Sequence, residues 1–214
     1  DVSLASRIRL LNIEHPVIVQ EIVEECKDFK PRCYGRATQY FRIFIKYGPP
    51  DAKEILLQML EQGESKNIAP AKLSFIPDVL IETSDINTIA RLLNIGLNGE
   101  DNFSLVTLCM ASLLAPKIVS NIVMSHKALS KEARQRVILS RGLCGDITVK
   151  KKLCEMLKEI AELVRKNYEI PLYRGYLYYL CEAFVCMKAD DCGHILDKIA
   201  KENTNYWVRG LIGN

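Results

Sequence analysis

The stretch FSLVTLCMASLLAPKIVSNIVM, residues 103–124, is the most apolar part of the sequence. On a helical wheel its large apolar side chains point in almost every direction: Phe103, Leu105, Val106, Leu108, Met110, Leu113 and Leu114. A helix that is hydrophobic all round is buried on several sides, or it crosses a membrane. Pro116 and Lys117 interrupt the run before it reaches the about 20 apolar residues that a span needs. The stretch therefore predicts a buried core helix pair, 102–115 and 117–127.

The composition is that of an ordinary folded domain, because 49% of its 214 residues are hydrophobic and 26% are charged. A chain of this length can hold one large core, or one elongated repeat array, without disulfides or metal ions. The net charge of +3 permits an acidic partner but does not require one. With no convincing membrane span, we expect no membrane partner.

Most of the eight cysteines fall inside apolar helical patterns. The chain is too long to need disulfides for stability, and no signal peptide opens it. The sequence therefore predicts buried free thiols in a reducing, intracellular compartment, either cytoplasm or nucleus. The first residue is Asp1 rather than Met, which indicates a fragment of a longer protein.

Outside the central stretch, apolar residues recur at helical spacing along the whole chain, and no segment alternates with the period of two of a strand. The first helices of successive pairs are predicted to begin near positions 3, 33, 70, 100, 130 and 170. Proline recurs at or near predicted helix starts, at positions 16, 50, 70, 116 and 171. The pattern predicts an all-α protein built from helical hairpins.

Hairpins repeating every roughly 30 to 40 residues resemble the units of HEAT- and armadillo-type α-solenoids. The resemblance covers nearly the whole chain and rests on helix spacing, without shared consensus residues. It implies one helical-repeat domain over 1–214, a right-handed α-α superhelix of about six hairpins. A compact globular bundle of the same helices is the alternative. Trp207, near the end of the chain, is predicted to cap the last repeat.

No motif predicts catalysis, a cofactor or a metal site. The sequence has neither a Gly-x-Ser-x-Gly elbow nor a glycine-rich phosphate-binding loop. Cys186, Cys192 and His194 lie close together, but their gaps exceed those of structural zinc sites and a second ligand pair is missing. We therefore expect no catalytic residues, no cofactor, no metal and no small-molecule substrate.

A basic stripe follows one side of the predicted helix 32–47 and consists of Arg32, Arg36, Arg42 and Lys46. The opposite face carries the apolar residues Tyr34, Ala37, Phe41, Phe44 and Ile45. Residues four apart on a helix share a face, so the stripe is able to neutralise phosphates or an acidic peptide. A solvated helix face is the alternative.

A second basic region lies within 127–166 and contains Arg134, Arg136, Arg141, Lys150, Lys151 and Lys152. Such a region would also be able to neutralise phosphates on a nucleic acid. Glu155, Glu159 and Glu162 occur in the same stretch and favour local ion pairs on a solvated helix face.

Five aromatic residues crowd one predicted helix near the C-terminus. At three- and four-residue spacing, Tyr173, Tyr176 and Phe184 are predicted to be core. Tyr178 and Tyr179 point elsewhere on the helical wheel. We therefore predict them to be surface aromatics that contact a partner.

These features favour a non-catalytic scaffold or adaptor that binds protein partners within a larger intracellular complex. Solenoids present one long face made of successive helices, and that face suits peptides, helices and other domains. A nucleic-acid-binding helical-repeat protein that uses the basic faces is the alternative.

Overall fold

A computed structural model describes residues 4–32, 37–62, 73, 75–82, 85–125, 130–167, 169–189 and 193–202. Over these residues the chain forms twelve α-helices and one short 3₁₀ turn, and none of them lies in a strand. The all-α prediction is therefore confirmed for the described part of the chain. Trp207 lies outside it.

The helices keep close to the predicted bounds. The first six are α1 (Leu4–Asn12), α2 (Pro16–Lys27), α3 (Ala37–Tyr47), α4 (Ala52–Gln62), α5 (Ile76–Ile81) and α6 (Ile86–Asn98). The next six are α7 (Asn102–Leu114), α8 (Pro116–Ser125), α9 (Lys131–Leu143), α10 (Lys150–Lys166), α11 (Pro171–Cys186) and α12 (Gly193–Glu202). The 3₁₀ turn Ile147–Val149 precedes α10.

Local chemistry explains where several helices begin. Helices α2, α8 and α11 each start on a proline, which lacks an amide proton that would have no partner in a first helical turn. The Ser130 hydroxyl accepts from the backbone N–H of Ala133 at 3.0 Å and caps α9, as predicted. The Asp101 carboxylate accepts from the N–H of Ser104 at 2.7 Å and caps α7. Each such cap stabilises its helix by about 1 kcal/mol.

The central stretch forms α7 and α8, which are separated at Ala115, one residue before the break predicted at Pro116. Leu105, Leu108 and Cys109 are fully buried. Leu114 is 51% exposed, so the burial is not all-round. Met124, in α8, is also exposed, at 66%. Among the described helices, none combines the length and apolar character needed to cross a membrane.

The chain divides into two compact units, Asp1–Leu92 and Leu93–Asn214, here called unit 1 and unit 2. In unit 1, contacts join helices that are consecutive or next but one along the chain, chiefly α2 with α3 and α3 with α5. Its core contains fully buried side chains from three helices: Ile18, Ile22, Cys26, Tyr40, Phe41, Phe44, Leu56 and Met59. The prediction of one domain over 1–214 stays a prediction.

In unit 2, helices α7, α9 and α11 contact one another, and α10 packs on α11. The shared core includes residues from each of these helices: Leu105, Cys109, Leu139, Leu143, Leu153, Leu157, Leu177, Leu180 and Ala183. In a linear solenoid each hairpin touches only its neighbours. The direct contact of α7 with α11 skips one hairpin, a feature expected of a compact bundle.

Arg136 is the largest fully buried side chain and lies inside unit 2 at 1% exposure. Its guanidinium donates to the carbonyl oxygen of Gly96 and, at 3.0 Å, to that of Asp101. The Gly96 carbonyl lies in the last turn of α6, where a helix end leaves acceptors without intrahelical partners. The Asp101 carbonyl lies at the N-cap of α7 and also accepts from the N–H of Leu105. The prediction that Arg136 belongs to a basic surface is therefore wrong, because the end of another helix covers it.

Candidate partner-binding surface

Each described cation of the predicted basic stripe is paired with a glutamate from another part of unit 1. Arg32 lies before α3, and its Nε is 3.1 Å from an oxygen of Glu25. Arg42 binds Glu82 through two guanidinium nitrogens. Arg36 lies outside the described residues.

Lys46, the last member of the stripe, donates to Glu14 at 2.6 Å. The Tyr47 hydroxyl donates to the same carboxylate oxygen at 2.6 Å. These hydrogen bonds, from Lys46 first and Tyr47 second, lower the pKa of Glu14. The hydrogen bond from Arg42 likewise lowers the pKa of Glu82. A phosphate or acidic peptide would have to compete with these glutamates, so binding by the stripe stays a prediction.

The sequence pattern did not reveal a further ion cluster centred on Arg91 of α6. Its guanidinium binds both Glu54 and Glu61 of α4, with a separation of 2.8 Å to Glu61. The hydrogen bond from Arg91 is the largest cause of the lowered pKa of Glu54. Glu61 and Glu54 are 30 and 37 residues from Arg91 in the sequence, so only the packing of the two helices could have identified them.

The second basic region is dispersed over different environments. Arg134 is exposed, whereas Arg141 is bound by Asp146 at 2.6 Å and by the Thr148 hydroxyl at 3.1 Å. Arg141 therefore links the end of α9 to the 3₁₀ turn that follows. Lys150 is half-buried.

Lys151 and Lys152 are exposed in the first turn of α10. A helix N-terminus disfavours positive charge, so these two lysines do not stabilise α10. Of the predicted second region, these two lysines and Arg134 are the side chains most accessible to a partner. Whether they bind one stays a prediction.

The two predicted surface tyrosines separate in the structure. Tyr178 is 42% exposed, but Tyr179 is only 8% exposed, so its prediction as a surface contact is wrong. Tyr179 follows Tyr176 by three residues and precedes Ala183 by four, which puts all three on the buried face of α11. Tyr176 and Phe184 are buried, as predicted, and Tyr173 is half-buried.

A groove of about 700 Å³ lies between α10 and α12 in unit 2, and is called the basic groove below. Its lining consists of Lys158, Ala161, Glu162, Arg165, His194, Ile195, Lys198 and Ile199. Ala161 and Ile199 are buried and Ile195 is half-buried, so they form an apolar floor. Lys158, His194 and Lys198 are exposed at the rim.

Glu162 is the one carboxylate among the described residues that line the basic groove. Arg165 donates to it twice, at 2.8 and 2.6 Å, and Lys166 lies 3.1 Å from it. The hydrogen bonds from Arg165 and then Lys166 lower the pKa of Glu162 to about 2. Its charge is thus already matched by Arg165 and Lys166, and the described lining also contains Lys158 and Lys198.

A second groove, of about 630 Å³, lies in unit 1 and is called the acidic groove below. Its lining consists of Glu14, Pro16, Val19, Gln20, Val23, Glu24, Lys27 and Tyr47. Two carboxylates and one lysine line it, the reverse of the balance in the basic groove. Ile13 and Val17, 69% and 53% exposed, neighbour this lining in sequence.

The described cysteines are free thiols: Cys26, Cys109, Cys144, Cys154, Cys181 and Cys186. Burial raises the pKa of Cys144 to about 12 and that of Cys181 to about 11. A thiol with so high a pKa is a poor nucleophile at neutral pH. Within the described ranges, no group of three His, Cys, Asp or Glu side chains is placed to hold a metal ion. Cys192 lies outside these ranges.

The chain is similar to the N-terminal acetyltransferase B complex subunit MDM20 of Saccharomyces cerevisiae, with 23% identity over 172 residues. The match covers 75% of this chain and 21% of the yeast protein. The chain therefore spans about a fifth of the length of this relative. No protein-family model and no solved structure matches the chain.

Proposed function

We propose that the chain is a non-catalytic scaffold segment of a subunit that binds protein partners within a larger intracellular complex. The observation that carries this proposal is the similarity to a complex subunit along 75% of the chain. An all-helical array agrees with it, since successive helices offer broad surfaces for protein partners.

The surface geometry supports a binding role in both units. Each unit has an open groove with apolar and charged side chains in its lining. Protein interfaces commonly combine an apolar centre with a polar rim. The basic groove has this arrangement, with Ala161, Ile195 and Ile199 below exposed lysines.

An N-terminal acetyltransferase is the class of complex to test first, since the yeast relative is named as a subunit of one. In this proposal the present chain supplies binding surfaces, and another subunit supplies catalysis. The fraction that copurifies with the chain should then transfer acetyl groups to the N-termini of test peptides. The purified chain alone should transfer none.

We further propose that the helices form an irregular α-solenoid of the HEAT or armadillo class. The starts of alternate helices support a repeat, at Leu4, Ala37, Ile76, Asn102, Lys131 and Pro171. The contact of α7 with α11 favours the alternative, a compact bundle. Small-angle scattering separates the two, because a compact domain of this length has a radius of gyration of roughly 17 Å. A clearly larger value is expected for the solenoid.

Affinity purification from cells that naturally express the protein tests the scaffold role. A tagged chain should recover the same few proteins at fixed ratios in repeated experiments. Leu108→Asp is the matched control, because it disrupts the core without touching the surface. Partners that bind the folded chain should be lost from this variant. The proposal fails if wild type recovers no protein that the variant does not.

Nucleic acid is the second candidate partner, favoured by the exposed Arg134, Lys151 and Lys152. Binding through phosphates should fall steeply with added salt. Lys151→Glu with Lys152→Glu should weaken it, and so should Arg36→Glu with Arg42→Glu if the stripe contributes. A chain that binds neither DNA nor RNA at low salt eliminates this candidate.

A further inference from the structure

We infer that one end of unit 2 binds an acidic segment of a partner protein that also carries apolar side chains. That the segment belongs to a protein partner rests on the proposed function. The surface, called the end surface below, combines three exposed apolar residues with three exposed lysines: Leu114, Ile147, Val185, Lys117, Lys151 and Lys152.

The C-terminal ends of α7, α9 and α11 lie together in unit 2. Near these ends the hydroxyl oxygens of Ser112 and Ser140 are 2.7 Å apart, which joins α7 to α9. A Cβ atom added to Gly142 would lie 3.2 Å from the Cβ of Ala183, so α9 and α11 are also in close contact there. Packed helices are about 8–10 Å apart, and three adjacent ends therefore make one continuous surface.

The connection between α9 and α10, residues 144–149, crosses this end of the unit. The Sγ of Cys144 is 3.9 Å from the carbonyl oxygen of Ser112, near the end of α7. A Cβ atom added to Gly145 would lie 3.4 Å from the carbonyl oxygen of Cys186, the last residue of α11. The connection thus lies against both helices and brings Ile147 to the end surface.

Each of the three segments presents an exposed aliphatic side chain. Leu114 in α7 is 51% exposed, Ile147 in the connection is 52% exposed, and Val185 in α11 is 72% exposed. Single exposed apolar residues are ordinary, but several at one end of a folded unit indicate an interaction surface. Contact with a partner would remove their apolar area from water, which favours binding.

Exposed lysines flank these aliphatic side chains. Lys117 follows Leu114 by three residues, and Lys151 follows Ile147 by four, with Lys152 next to it. None of the three lysines is bound by a carboxylate of the described residues. They lie in the first turns of α8 and α10, where the helix dipole adds further positive charge. The lysines should therefore attract an anionic partner.

Carboxylates near the end surface restrict which anionic partner fits. Asp146 is bound by Arg141 at 2.6 Å, whereas Glu155 and Glu182 lie about one helical turn away on α10 and α11. A membrane or a nucleic-acid backbone carries evenly spaced negative charge and would set some of it against these carboxylates. A protein segment can place Asp or Glu against the lysines and its apolar side chains against the aliphatic ones.

Peptide selection on the 214-residue chain tests the inference. Short peptides of random sequence are displayed on phage, selected on wild type, and then measured against a charge variant, Lys117→Glu with Lys151→Glu. Its control is Lys158→Glu with Lys201→Glu, which makes the same change in net charge at exposed lysines of unit 2 outside the end surface. Circular dichroism and thermal melting check that both variants stay folded.

A second pair of variants tests the apolar part of the surface. Val185→Ser removes the most exposed of its aliphatic side chains. Met124→Ser is the matched control, because Met124 is 66% exposed and lies near the opposite end of α8 from Lys117.

The selected peptides should combine Asp or Glu with Leu, Ile or Phe. They should lose about tenfold or more in affinity for the charge variant, severalfold for Val185→Ser, and little for either control. Added salt should weaken their binding to wild type. Peptides without acidic residues, or peptides that bind the variants and their controls alike, overturn the inference. So does a selection that yields no binder.

Three other occupants are measured beside the peptides. Vesicles of phosphatidylcholine with phosphatidylserine test a membrane surface, and a short single-stranded oligonucleotide tests nucleic acid. If either binds more tightly than the peptides and depends on Lys117 and Lys151, the inference is wrong. Sedimentation of the chain alone tests a second copy, and self-association that the charge variant abolishes would also overturn the inference.

Affinity purification with the same variants separates this inference from the proposed function. If the charge variant retains every partner of wild type, the end surface is not their binding site and the scaffold role stands. If wild type recovers no partner while acidic peptides bind at Lys117 and Lys151, the scaffold role fails and the chemistry of the end surface stands.

Discussion

Units 1 and 2 differ in how an arginine connects segments that are distant in sequence. In unit 1, Arg42 and Arg91 lie at the surface and bind glutamates of neighbouring helices. In unit 2, Arg136 is buried and binds backbone carbonyls of Gly96 and Asp101. Each arrangement connects segments that are distant in sequence. They differ in how much water surrounds the charge.

This difference in burial determines how much each arginine should contribute to the free energy of unfolding. Surface ion pairs contribute about 1 kcal/mol or less, because water and salt screen them. A buried charged donor is different, since its removal leaves acceptors without water or protein partners. The basic groove extends the contrast, since its rim charges are exposed and therefore accessible to a partner. The following changes test the comparison, from the largest expected effect to the smallest.

The core of unit 2 should not accept a charge. Leu108→Asp places a carboxylate at a fully buried position of α7, and we expect a loss of more than about 4 kcal/mol in the free energy of unfolding. Met110→Lys, at a half-buried position, should cost less. Leu114→Asp is the matched control, because Leu114 is 51% exposed on the same helix. Urea denaturation measures all three, and equal stability of the two Asp variants would contradict the assignment of faces.

Replacing the buried arginine should be the next most damaging change. Arg136→Met keeps the length of the side chain but leaves the Gly96 carbonyl without this donor, whereas the Asp101 carbonyl keeps the N–H of Leu105. We expect a loss of about 2–3 kcal/mol in the free energy of unfolding, since an unsatisfied buried acceptor costs about 1–3 kcal/mol. Arg134→Met, two residues away and exposed, should cost little. If both variants unfold at the same urea concentration, the central role of Arg136 is wrong.

A methyl group at Gly96 tests the close approach of α6 to α7 within unit 2. A Cβ atom there would lie 2.6 Å from the Cβ of Leu108, closer than packed carbon atoms approach. Gly96→Ala should therefore destabilise by about 2 kcal/mol, since overpacking outweighs the gain in helix propensity. At Gly193 no atom lies within 4 Å of the added Cβ, so Gly193→Ala should be neutral or stabilising. Thermal melting measures both variants. A higher melting temperature for both would disprove the close contact.

Disrupting the ion cluster of unit 1 should change stability least, and the change should depend on pH. Arg91 lowers the pKa of Glu54 below its ordinary value of 4.5, so this contribution is complete above that value and is lost as pH falls through the folded pKa. Arg91→Gln should therefore lower the melting temperature slightly near neutral pH and lose less than wild type on acidification. High salt should shrink the difference. If the melting temperatures of wild type and Arg91→Gln fall in parallel as the pH is lowered, the coupling between Arg91 and Glu54 is contradicted.

The sequence predicted those parts of the fold that depend on local chemistry. Pro16, Pro116 and Pro171 start helices, Ser130 caps α9, and the all-round apolar character of the central stretch identifies Leu105 and Leu108 as core. These features are set by residues within a few positions of one another. Local spacing was therefore sufficient to predict them.

The errors arose where a neighbouring helix decides the environment. Helical spacing places Arg136 and Tyr179 on particular faces, but only packing shows that those faces are covered. Arg136 contacts a carbonyl 40 residues away, too far for a spacing argument. The basic groove was missed for the same reason, because its two walls come from separate helices.

The scaffold role is tested most directly by size-exclusion chromatography of the tagged protein purified gently from its natural cells. The account predicts that the protein elutes well ahead of the 24.3 kDa position of this chain, together with the same partners at constant ratio across the peak. A helical protein that elutes alone in every such preparation would contradict the account.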